Sequence, residues 1–371
     1  MRVLHIQKAH GISGSERHLL SLLPALRERG VEPVMCALVV EPGGAGFVDA
    51  FRHQRLDVHE VPAGPDLNPR AVSGVVRAIR SVRPDLVHTH LVHADVHGLL
   101  AASITRVPAV SSMHDPPPLY DQWRFLWAGR LAGRLARRRI AISRDVERVI
   151  LAKRLGRVGR VDVIPYGIDT TAWSGVDRTA ARAALGIVDD GVVVGIASRL
   201  VPGKGHEQLL EALEVALAGA PSLRLVVAGR GPLQARLETR AARLPPGTVT
   251  FLGFIERMPQ LMAACDIVAF PTTAELSEGF GLVGLEAMAA ARPVVATAVG
   301  PVPEVVGDDS GILVRDGSTS ELADALVRLA VDPSLRTRMG DAGLRRAHDL
   351  FSLNTMVDRT IDVYERVLAE Q

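Results

Sequence analysis

The stretch Glu278-Gly-Phe-Gly-Leu-Val-Gly-Leu-Glu286 says most about the fold and chemistry of this chain. It follows a strand-like segment, Ala269-Phe-Pro-Thr272, and runs into a helix-like segment over residues 282–291. Glycines let backbone N–H groups approach a ligand closely, and the first turn of a helix offers unpaired donors that suit a phosphate. Carboxylates beside an anion site are unfavourable unless they accept hydrogen bonds from a polyol. The stretch therefore predicts a sugar-nucleotide site, the alternative being two solvated glutamates around a helix start.

Short apolar runs alternate with amphipathic segments on both sides of this stretch. The predicted strands are Val3–Gln7, Val34–Val40, Asp57–Val61, Leu86–Thr89, Ala109–Met113, Ile140–Ile142, Val161–Ile164, Gly191–Ala197, Leu223–Ala228, Thr248–Leu252, Ile267–Phe270, Val294–Thr297 and Ile312–Val314. The predicted helices include Ser15–Arg29, Pro69–Val82, Val92–Thr105, Arg144–Leu155 with Ser143 as its N-cap, and His206–Ala218. Such alternation predicts α/β architecture with parallel sheets covered by helices on both faces.

The length of 371 residues predicts two domains, and Pro and Gly interrupt the periodicity near Ile164–Asp169. We expect one doubly wound domain over residues 1–170 and a second over residues 171–351. Doubly wound domains bind ligands at the carboxyl ends of their strands, so a cleft between the two is the expected site.

The amino-acid composition limits the classes of protein to which this chain can belong. Hydrophobic residues make up 47% of the chain and charged residues 23%, which predicts a globular protein. The formal net charge is +2, but residues 1–170 hold 24 Lys and Arg against 16 Asp and Glu. A basic half can meet an acidic acceptor, a membrane surface or nucleic acid, or can simply be solvated. The two separated cysteines and the apparent lack of a signal peptide or apolar span lead us to expect a cytoplasmic protein.

Three Gly-containing loops follow predicted strands. Gly11–Glu16 can pass close to a diphosphate or only reverse the chain. Ser198–His206 carries Arg199 and Lys204, two cations that can neutralise a diphosphate; an ordinary surface loop is the alternative. Ala228–Pro232 is interpreted as a tight turn. The chain has no D-x-D motif, so we expect the cations and a helix dipole, and not a metal, to hold a diphosphate.

Histidines and tryptophans mark two further segments. His93 and His97 have a spacing that can bind a metal, but no third ligand is evident, so no metal site is predicted. His114 ends a predicted strand and either contacts a sugar or acceptor or is simply packed.

Trp123 and Trp127 precede a run of arginines at positions 130, 134, 137, 138 and 139. We expect a packed amphipathic helix over Leu119–Ile140 with a solvated basic face; contact with an anionic membrane is the less favoured alternative.

Together these residues resemble the GT-B-fold retaining glycosyltransferases of family 4. The resemblance rests on the Gly-containing loop near Gly14, Asp85-Leu-Val-His-Thr-His90, Ile164-Pro-Tyr-Gly-Ile-Asp169, the Arg199/Lys204 pair and Glu278–Glu286. It implies two Rossmann-like domains facing across a cleft, with a final helix at 352–371 packing back on the first domain. Tyr166 and Pro301 depart from the commoner Pro-Asn-Gly and Gly-Gly patterns.

The resemblance also implies site roles. Glu286 is expected to bind the ribose, Glu278 the transferred sugar, and Arg199 with Lys204 the diphosphate. Backbone N–H groups near Gly279, Phe280, Gly281 and Leu282, and near Gly14, are expected to assist; the base would lie against Phe254 and Ile255. His114 would sit by the transferred sugar and acceptor.

We therefore predict a metal-independent retaining glycosyltransferase that uses a nucleotide-diphospho-sugar, with UDP favoured by the resemblance, and no other cofactor. The acceptor is left open between a small molecule, a lipid-linked molecule and a saccharide, and no nucleic-acid partner is expected. The alternatives are a GT-B-type sugar-nucleotide epimerase or phosphorylase, a non-catalytic sugar-nucleotide-binding subunit and a nicotinamide dehydrogenase. The last is disfavoured because the loop after the first predicted strand, Gly11–Glu16, does not have the spacing of the G-x-G-x-x-G fingerprint.

Overall fold

The chain folds as two units, each built around its own parallel sheet. The computed structural model describes residues 1–9, 11, 14–40, 44–64, 68–115, 117–187 and 191–370. The N-terminal unit comprises Met1–Gly167 with Leu353–Gln371, and the C-terminal unit comprises Ile168–Ser352. The boundary predicted from the sequence lies three residues later, after residue 170.

In the described part of the N-terminal unit, seven parallel strands pair in the order β3-β2-β1-β4-β5-β6-β7. The strands are β1 (Arg2–Ala9), β2 (Glu32–Val39), β3 (Asp57–Pro62), β4 (Leu86–His90), β5 (Ala109–Met113), β6 (Arg138–Ala141) and β7 (Val161–Val163). The order reverses direction between β1 and β4. In doubly wound sheets such a reversal opens a crevice at the carboxyl ends of the two strands.

The sheet of the C-terminal unit has six described strands in the order β10-β9-β8-β11-β12-β13. They are β8 (Val192–Ala197), β9 (Leu223–Ala228), β10 (Val249–Gly253), β11 (Ile267–Phe270), β12 (Val294–Thr297) and β13 (Gly311–Val314). Here the order reverses between β8 and β11, and these two strands are the ones whose following loops carry the predicted charged site residues.

Helices connect most successive strands, and the last three helices follow the last strand. They are α1 (Gly14–Glu28), α2 (Gly44–His53), α3 (Pro69–Val82), α4 (Leu91–Thr105), α5 (Trp123–Leu135), α6 (Arg144–Ala152), α7 (Arg178–Ala184), α8 (His206–Ala216), α9 (Gln234–Ala241), α10 (Met258–Ala264), α11 (Leu282–Ala289), α12 (Val302–Val306), α13 (Thr319–Val331), α14 (Pro333–Leu350) and α15 (Leu353–Ala369). Short 3-10 helices span Pro117–Asp121 and Thr170–Ala172. No helix among the described residues is both long enough and apolar enough to cross a membrane.

Two helices begin directly after a residue whose side chain caps their first turn. The Ser143 hydroxyl accepts a hydrogen bond from the Val146 N–H at 3.1 Å, which confirms Ser143 as the N-cap of α6. Asn68 caps α3 in the same way through the Arg70 N–H at 2.9 Å. Each cap satisfies a donor that the first helical turn leaves unpaired, and so it fixes where the strand-to-helix loop ends.

One face of the N-terminal sheet is apolar at one end and polar at the other. Val3, Leu86 and Val110 lie in the apolar part, in a core shared with α1 and α15. Two residues further along each strand, on the same face, β1 carries His5 and β4 carries His88. These two histidines are paired in the register of the sheet. The polar part lies toward the carboxyl ends of the strands, where a ligand would approach.

The region predicted as one long amphipathic helix, Leu119–Ile140, is not one element. It contains part of a 3-10 helix, α5, and the first residues of β6. Arg138 and Arg139 belong to β6 and are buried, so placing them on a solvated helical face was wrong. Arg139 forms an ion pair with buried Asp95 at 3.0 Å.

The tryptophans of α5 are exposed, so the expectation that they are packed was also wrong. The helix instead buries Gly129, Ala132 and Gly133. A Cβ atom on Gly133 would lie 2.0 Å from the Leu155 carbonyl oxygen. The backbone of α5 therefore approaches the segment after α6 too closely for large side chains, which turn to the opposite face.

Candidate active site

The predicted charged residues of the C-terminal unit collect at the point where its strand order reverses. Arg199 and Lys204 follow β8, and Glu278 follows β11, which is the neighbouring strand in the sheet. Strand ends at such a reversal leave space above the sheet, because their connections run to opposite sides. The position is the one where α/β sheets bind ligands.

Lys204 and Glu278 form an ion pair between the Lys204 ammonium and Glu278 Oε1. Their side chains are only 13% and 18% exposed. The same Glu278 oxygen accepts a hydrogen bond from the Thr272 hydroxyl at 3.1 Å. The preceding residue, Ser277, has φ of 52°, a left-handed conformation that non-glycine residues seldom adopt. The turn thus holds a carboxylate and an ammonium together in partial burial, where water screens their charges less than at the surface.

Arg199 differs from Lys204 because its side chain is exposed. Its loop is held by close backbone packing: a Cβ on Gly229 would lie 1.9 Å from the Ser198 carbonyl oxygen, and one on Gly231 2.3 Å from that of Leu200. The glycines of Ala228–Pro232 therefore serve the packing of this loop, in line with their interpretation as a tight turn. The guanidinium is left at the surface, accessible to an anion.

Helix α11 begins at the Gly-Phe-Gly turn. Its N-cap, Gly281, has φ of 93°, and a Cβ there would lie 3.1 Å from the Phe270 ring. Phe280 is buried against Phe351, with ring centroids 5.8 Å apart. Gly279 and Leu282 are half-buried on either side of this anchor. Glu286 lies on α11 and is only 4% exposed. The turn thus brings backbone donors and one buried carboxylate to the same helix end.

The remaining predicted donor-site residues lie on other loops. Phe254 and Ile255 follow β10, and Phe254 is 57% exposed, so its ring is free to contact a planar group. Gly14 is the first residue of α1 in the N-terminal unit, and no atom of the described chain lies within 4 Å of a Cβ built there. Ile12 and Ser13 of the same loop lie outside the described residues.

His114 belongs to a buried chain of hydrogen bonds in the N-terminal unit. His5 Nδ1 lies 3.1 Å from His90 Nε2, and His90 Nδ1 lies 3.0 Å from His114 Nε2. His114 Nδ1 lies 2.7 Å from the Tyr166 hydroxyl. A neutral imidazole has one N–H and one acceptor nitrogen, so the three bonds must all run in the same direction. Both ring nitrogens of His114 are therefore engaged, and a ligand can hydrogen-bond to one only by exchanging a partner.

Burial keeps this cluster neutral. It lowers the pKa of His5 and that of His114 to about 3. Burial, and then repulsion from neighbouring imidazoles, lowers the pKa values of His18, His88 and His90 well below the usual range. Asp115, which follows His114, has its pKa raised to about 6 by burial, although the Val92 N–H partly offsets this shift.

Sequence reasoning missed His5, His18 and Tyr166 as part of this cluster. The rings of His18 and Tyr166 stack at 4.3 Å. The only sequence signal was the tyrosine itself, noted as a departure from the commoner Pro-Asn-Gly pattern. Its hydroxyl contacts His114, 52 residues earlier in the chain.

Two groups of histidines have spacings that suit a metal. Among the described residues, ligand atoms of His5, His88 and His90 lie within 4.8 Å of one another. His88 already bonds the Tyr364 hydroxyl through Nδ1 at 2.6 Å and the Ser112 hydroxyl through Nε2 at 2.7 Å. In α4, His97 bonds the His93 carbonyl and the Asn68 N–H. Protein hydrogen bonds thus account for the ring nitrogens of both His88 and His97.

The chain matches two family descriptions that together span most of its length. Residues 12–172 match Glycosyltransferase Family 4, and residues 177–346 match Glycosyl transferases group 1. A D-inositol 3-phosphate glycosyltransferase from Saccharomonospora viridis is 30% identical over 352 residues, covering 84% of this chain and 80% of that protein. The chain belongs to glycosyltransferase family 4. It is therefore a glycosyltransferase, as the sequence predicted.

Further similarities extend this result. A GDP-mannose-dependent monoacylated alpha-(1-6)-phosphatidylinositol monomannoside mannosyltransferase from Corynebacterium glutamicum is 32% identical over 211 residues, covering 54% of this chain and 55% of that protein. The crystal structure of the Anabaena protein HepE in complex with UDP and glucose has a TM-score of 0.86 and 28% identity, and covers 99% of this chain and 100% of that one. The predicted α/β fold of GT-B type, with two doubly wound domains, is confirmed.

Proposed function

We propose that this glycosyltransferase moves a sugar from a nucleotide-diphospho-sugar to an acceptor hydroxyl with retention of anomeric configuration. The observation that carries the proposal is the meeting of Lys204 and Glu278 where the strand order reverses, beside the N-terminal end of α11. Lys204 and Arg199 bind the diphosphate, Glu278 orients the transferred sugar, and Glu286 binds the ribose. Phe254 and Ile255 lie against the base.

Charge explains how this arrangement would work. As the glycosidic bond breaks, negative charge grows on the diphosphate and positive charge on the sugar. Two cations and the first turn of a helix that are already in position stabilise the diphosphate without reorganising. The departing phosphate oxygen then takes the proton of the acceptor hydroxyl on the same face of the sugar. In the unliganded site Glu278 neutralises Lys204, and a diphosphate would take over that role when it binds.

UDP is the favoured nucleotide. HepE, which is similar over nearly the whole chain, was crystallised with UDP. The competing donor is a GDP-sugar, because the mannosyltransferase relative is named as GDP-mannose-dependent. For the acceptor, the relatives named D-inositol 3-phosphate glycosyltransferases make a phosphorylated cyclitol the first compound to test.

His114 keeps its proposed place beside the transferred sugar. Its ring is held by His90 and Tyr166, so it is oriented before any ligand binds. The proposal includes a cytoplasmic setting, since Cys36 and Cys265 are buried free thiols that lie in different units.

The donor is identified by a screen of nucleotide sugars for thermal stabilisation. A ligand that binds only the folded state at a hundred times its dissociation constant stabilises it by about 2.7 kcal/mol. We expect UDP-sugars to raise the melting temperature more than GDP-sugars do. Donor incubated without acceptor then separates the alternatives: an epimerase would convert it, and a non-catalytic subunit would bind it but leave it unchanged with every acceptor.

Metal independence is tested with a chelator. We expect turnover to persist when EDTA is added, because Arg199, Lys204 and the helix end supply the positive potential that a magnesium ion would otherwise provide. Loss of turnover with EDTA and its return with magnesium or manganese would refute this part of the proposal and leave the donor assignment standing.

Replacing Glu286 with alanine should weaken donor binding about tenfold to hundredfold, the equivalent of roughly 1.5–3 kcal/mol for a hydrogen bond to a charged group. The measurement is a calorimetric titration with the donor found in the screen. Glu275→Ala is the matched control, since Glu275 is an exposed carboxylate in the same loop region. Equal donor affinity of folded Glu286→Ala and wild type would remove Glu286 from the site.

A further inference from the structure

Exposed apolar side chains are concentrated in one part of the N-terminal unit. Ten large apolar residues are exposed among the described residues, and five of them lie between positions 123 and 158: Trp123, Trp127, Leu131, Leu151 and Val158. Trp123 is 71% exposed, Trp127 59% and Val158 87%. Isolated exposed apolar residues are ordinary, but a cluster with two of the three tryptophans in the chain indicates a contact surface.

On α5 the exposed residues form a continuous stripe. Trp123, Trp127 and Leu131 are four residues apart, so they lie on one side of the helix. The opposite side of α5 carries small residues, and Gly129 and Gly133 are buried there. On that side a Cβ atom on Gly133 would lie 2.0 Å from the Leu155 carbonyl oxygen, which leaves no room for a large side chain at this position. The helix thus fixes two indole rings in water, which is unfavourable unless something covers them.

Basic residues surround this stripe. Arg124 and Arg134 are exposed on α5, and the Arg130 guanidinium lies over the Trp127 ring, 6.0 Å from its centroid. Residues 122–160 hold twelve Lys and Arg against two Asp and Glu, in a chain whose net charge is +2. Arg138 and Arg139 turn inward, and ion pairs with acidic residues engage Arg144, Arg148, Lys153 and Arg160. Exposed positive charge remains at Arg124, Arg134, Arg154 and Arg157.

The segment after α6 extends the same surface. Arg130 Nε donates to the Lys153 carbonyl at 3.2 Å, and α5 packs against Leu155, so the two segments adjoin. This second segment carries the exposed Val158 together with Arg154 and Arg157. Apolar and basic residues are therefore interleaved on both.

We propose that the aromatic-basic surface, formed by Trp123, Arg124, Trp127, Leu131 and Arg134, binds an anionic lipid bilayer. Indole rings settle at the boundary between headgroups and acyl chains, where one side is apolar and the other is wet, and arginines pair with anionic headgroups. A polyanion could pair with the arginines, but it would bury little of the exposed apolar stripe. A second copy of the chain would bring the same positive surface against itself, because a two-fold interface pairs identical patches.

The experiment is co-sedimentation of the full-length chain with mixed phosphatidylcholine–phosphatidylglycerol vesicles at an ionic strength of about 0.15 M. We expect binding to mixed vesicles and little binding to pure phosphatidylcholine. In a Trp173→Phe background the remaining fluorescence comes from Trp123 and Trp127, and it should shift to the blue and be quenched by brominated lipid. Trp123→Ser/Trp127→Ser should weaken binding at least about tenfold. Arg124→Gln and Arg134→Gln should each cost about fivefold.

The matched control is Arg328→Gln/Val331→Ser, which removes an exposed arginine and an exposed apolar residue from α13 in the other unit. It should bind vesicles as the wild type does. The tryptophan variant should keep the wild-type melting temperature; a large fall would show that the rings are packed and would overturn the proposal. Absence of vesicle binding would overturn it too. So would binding that heparin abolishes but the tryptophan changes leave intact, or a tryptophan-dependent dimer without vesicles.

Discussion

Replacing Arg199 or Lys204 with alanine should lower kcat about 10²–10³-fold, the loss typical of removing one preorganised group that stabilises developing negative charge. The donor dissociation constant should change much less, because the charge on the diphosphate is greatest as the sugar departs. The measurement is kcat and KM with the donor from the thermal screen. A variant that raised KM alone would show that the cation only binds the ground state.

The two variants should differ in a second respect. Arg199 is exposed, so Arg199→Ala should keep the wild-type melting temperature. Lys204→Ala removes the cation that Glu278 contacts, so it should also change how Glu278 meets the sugar, and Lys204→Arg should restore part of the activity. Arg240→Ala, which removes a surface ion pair with Glu211 in the same unit, is the control and should retain wild-type turnover.

The sheets and the donor-side loops were predictable from the sequence because they depend on local patterns. β5, β9, β11 and β12 have the predicted bounds, and the other strands differ from prediction at one or both ends. An apolar run bounded by Gly or Pro identifies a buried parallel strand, and the loop after it lies at a known edge of the sheet. This is why Lys204 and Glu278, 74 positions apart in the chain, could be predicted to lie together from the strands that precede them.

The histidine cluster was not predictable in this way. Hydrophobic periodicity indicates which residues face inward, but which side chains meet across a sheet depends on strand order and register. His5 lies beside His88 only because β1 pairs with β4 in that register. Tyr166 reaches His114 from beyond β7. The prediction for the α5 tryptophans was wrong for a different reason. Large apolar residues were assumed to face inward, whereas the inner side of α5 packs so closely against the neighbouring backbone that it carries glycines.

Acidification should destabilise the N-terminal unit at pH values below about 6, because the pKa values of five of its histidines are lowered. A histidine whose folded pKa lies below its unfolded value stabilises the fold above the unfolded pKa, and that stability is lost as the pH falls. For His5 and His114 the window runs from about 6.5 down to about 3. The lowered pKa values of His18, His88 and His90 act in the same direction. Within that window His5 and His114 each contribute about 1.4 kcal/mol per pH unit.

Asp115 acts in the opposite direction. Its folded pKa of about 6 lies above the value of 3.8 for a free aspartate, so the folded state takes up this proton first as the pH falls. The stability gained from that proton uptake offsets roughly the loss caused by one histidine. For His5, His114 and Asp115 together, the net loss between about pH 6 and pH 4 is therefore about 1.4 kcal/mol per pH unit. The lowered pKa values of His18, His88 and His90 add to this loss. Domains are stable by only about 5–15 kcal/mol, so such a loss over two pH units removes a substantial part of the stability.

The measurement is the denaturant-unfolding free energy of the full chain as a function of pH, followed by circular dichroism. His5→Gln removes one buried imidazole from the end of the chain of hydrogen bonds, so its stability should fall less steeply with acid than that of the wild type. His348→Gln is the control, because His348 lies in the C-terminal unit with its side chain 73% exposed, and it should keep the wild-type slope. A wild-type stability that stayed flat from pH 7 to about pH 4 would show that the buried imidazoles accept protons without unfolding, contrary to the burial that lowers their pKa values.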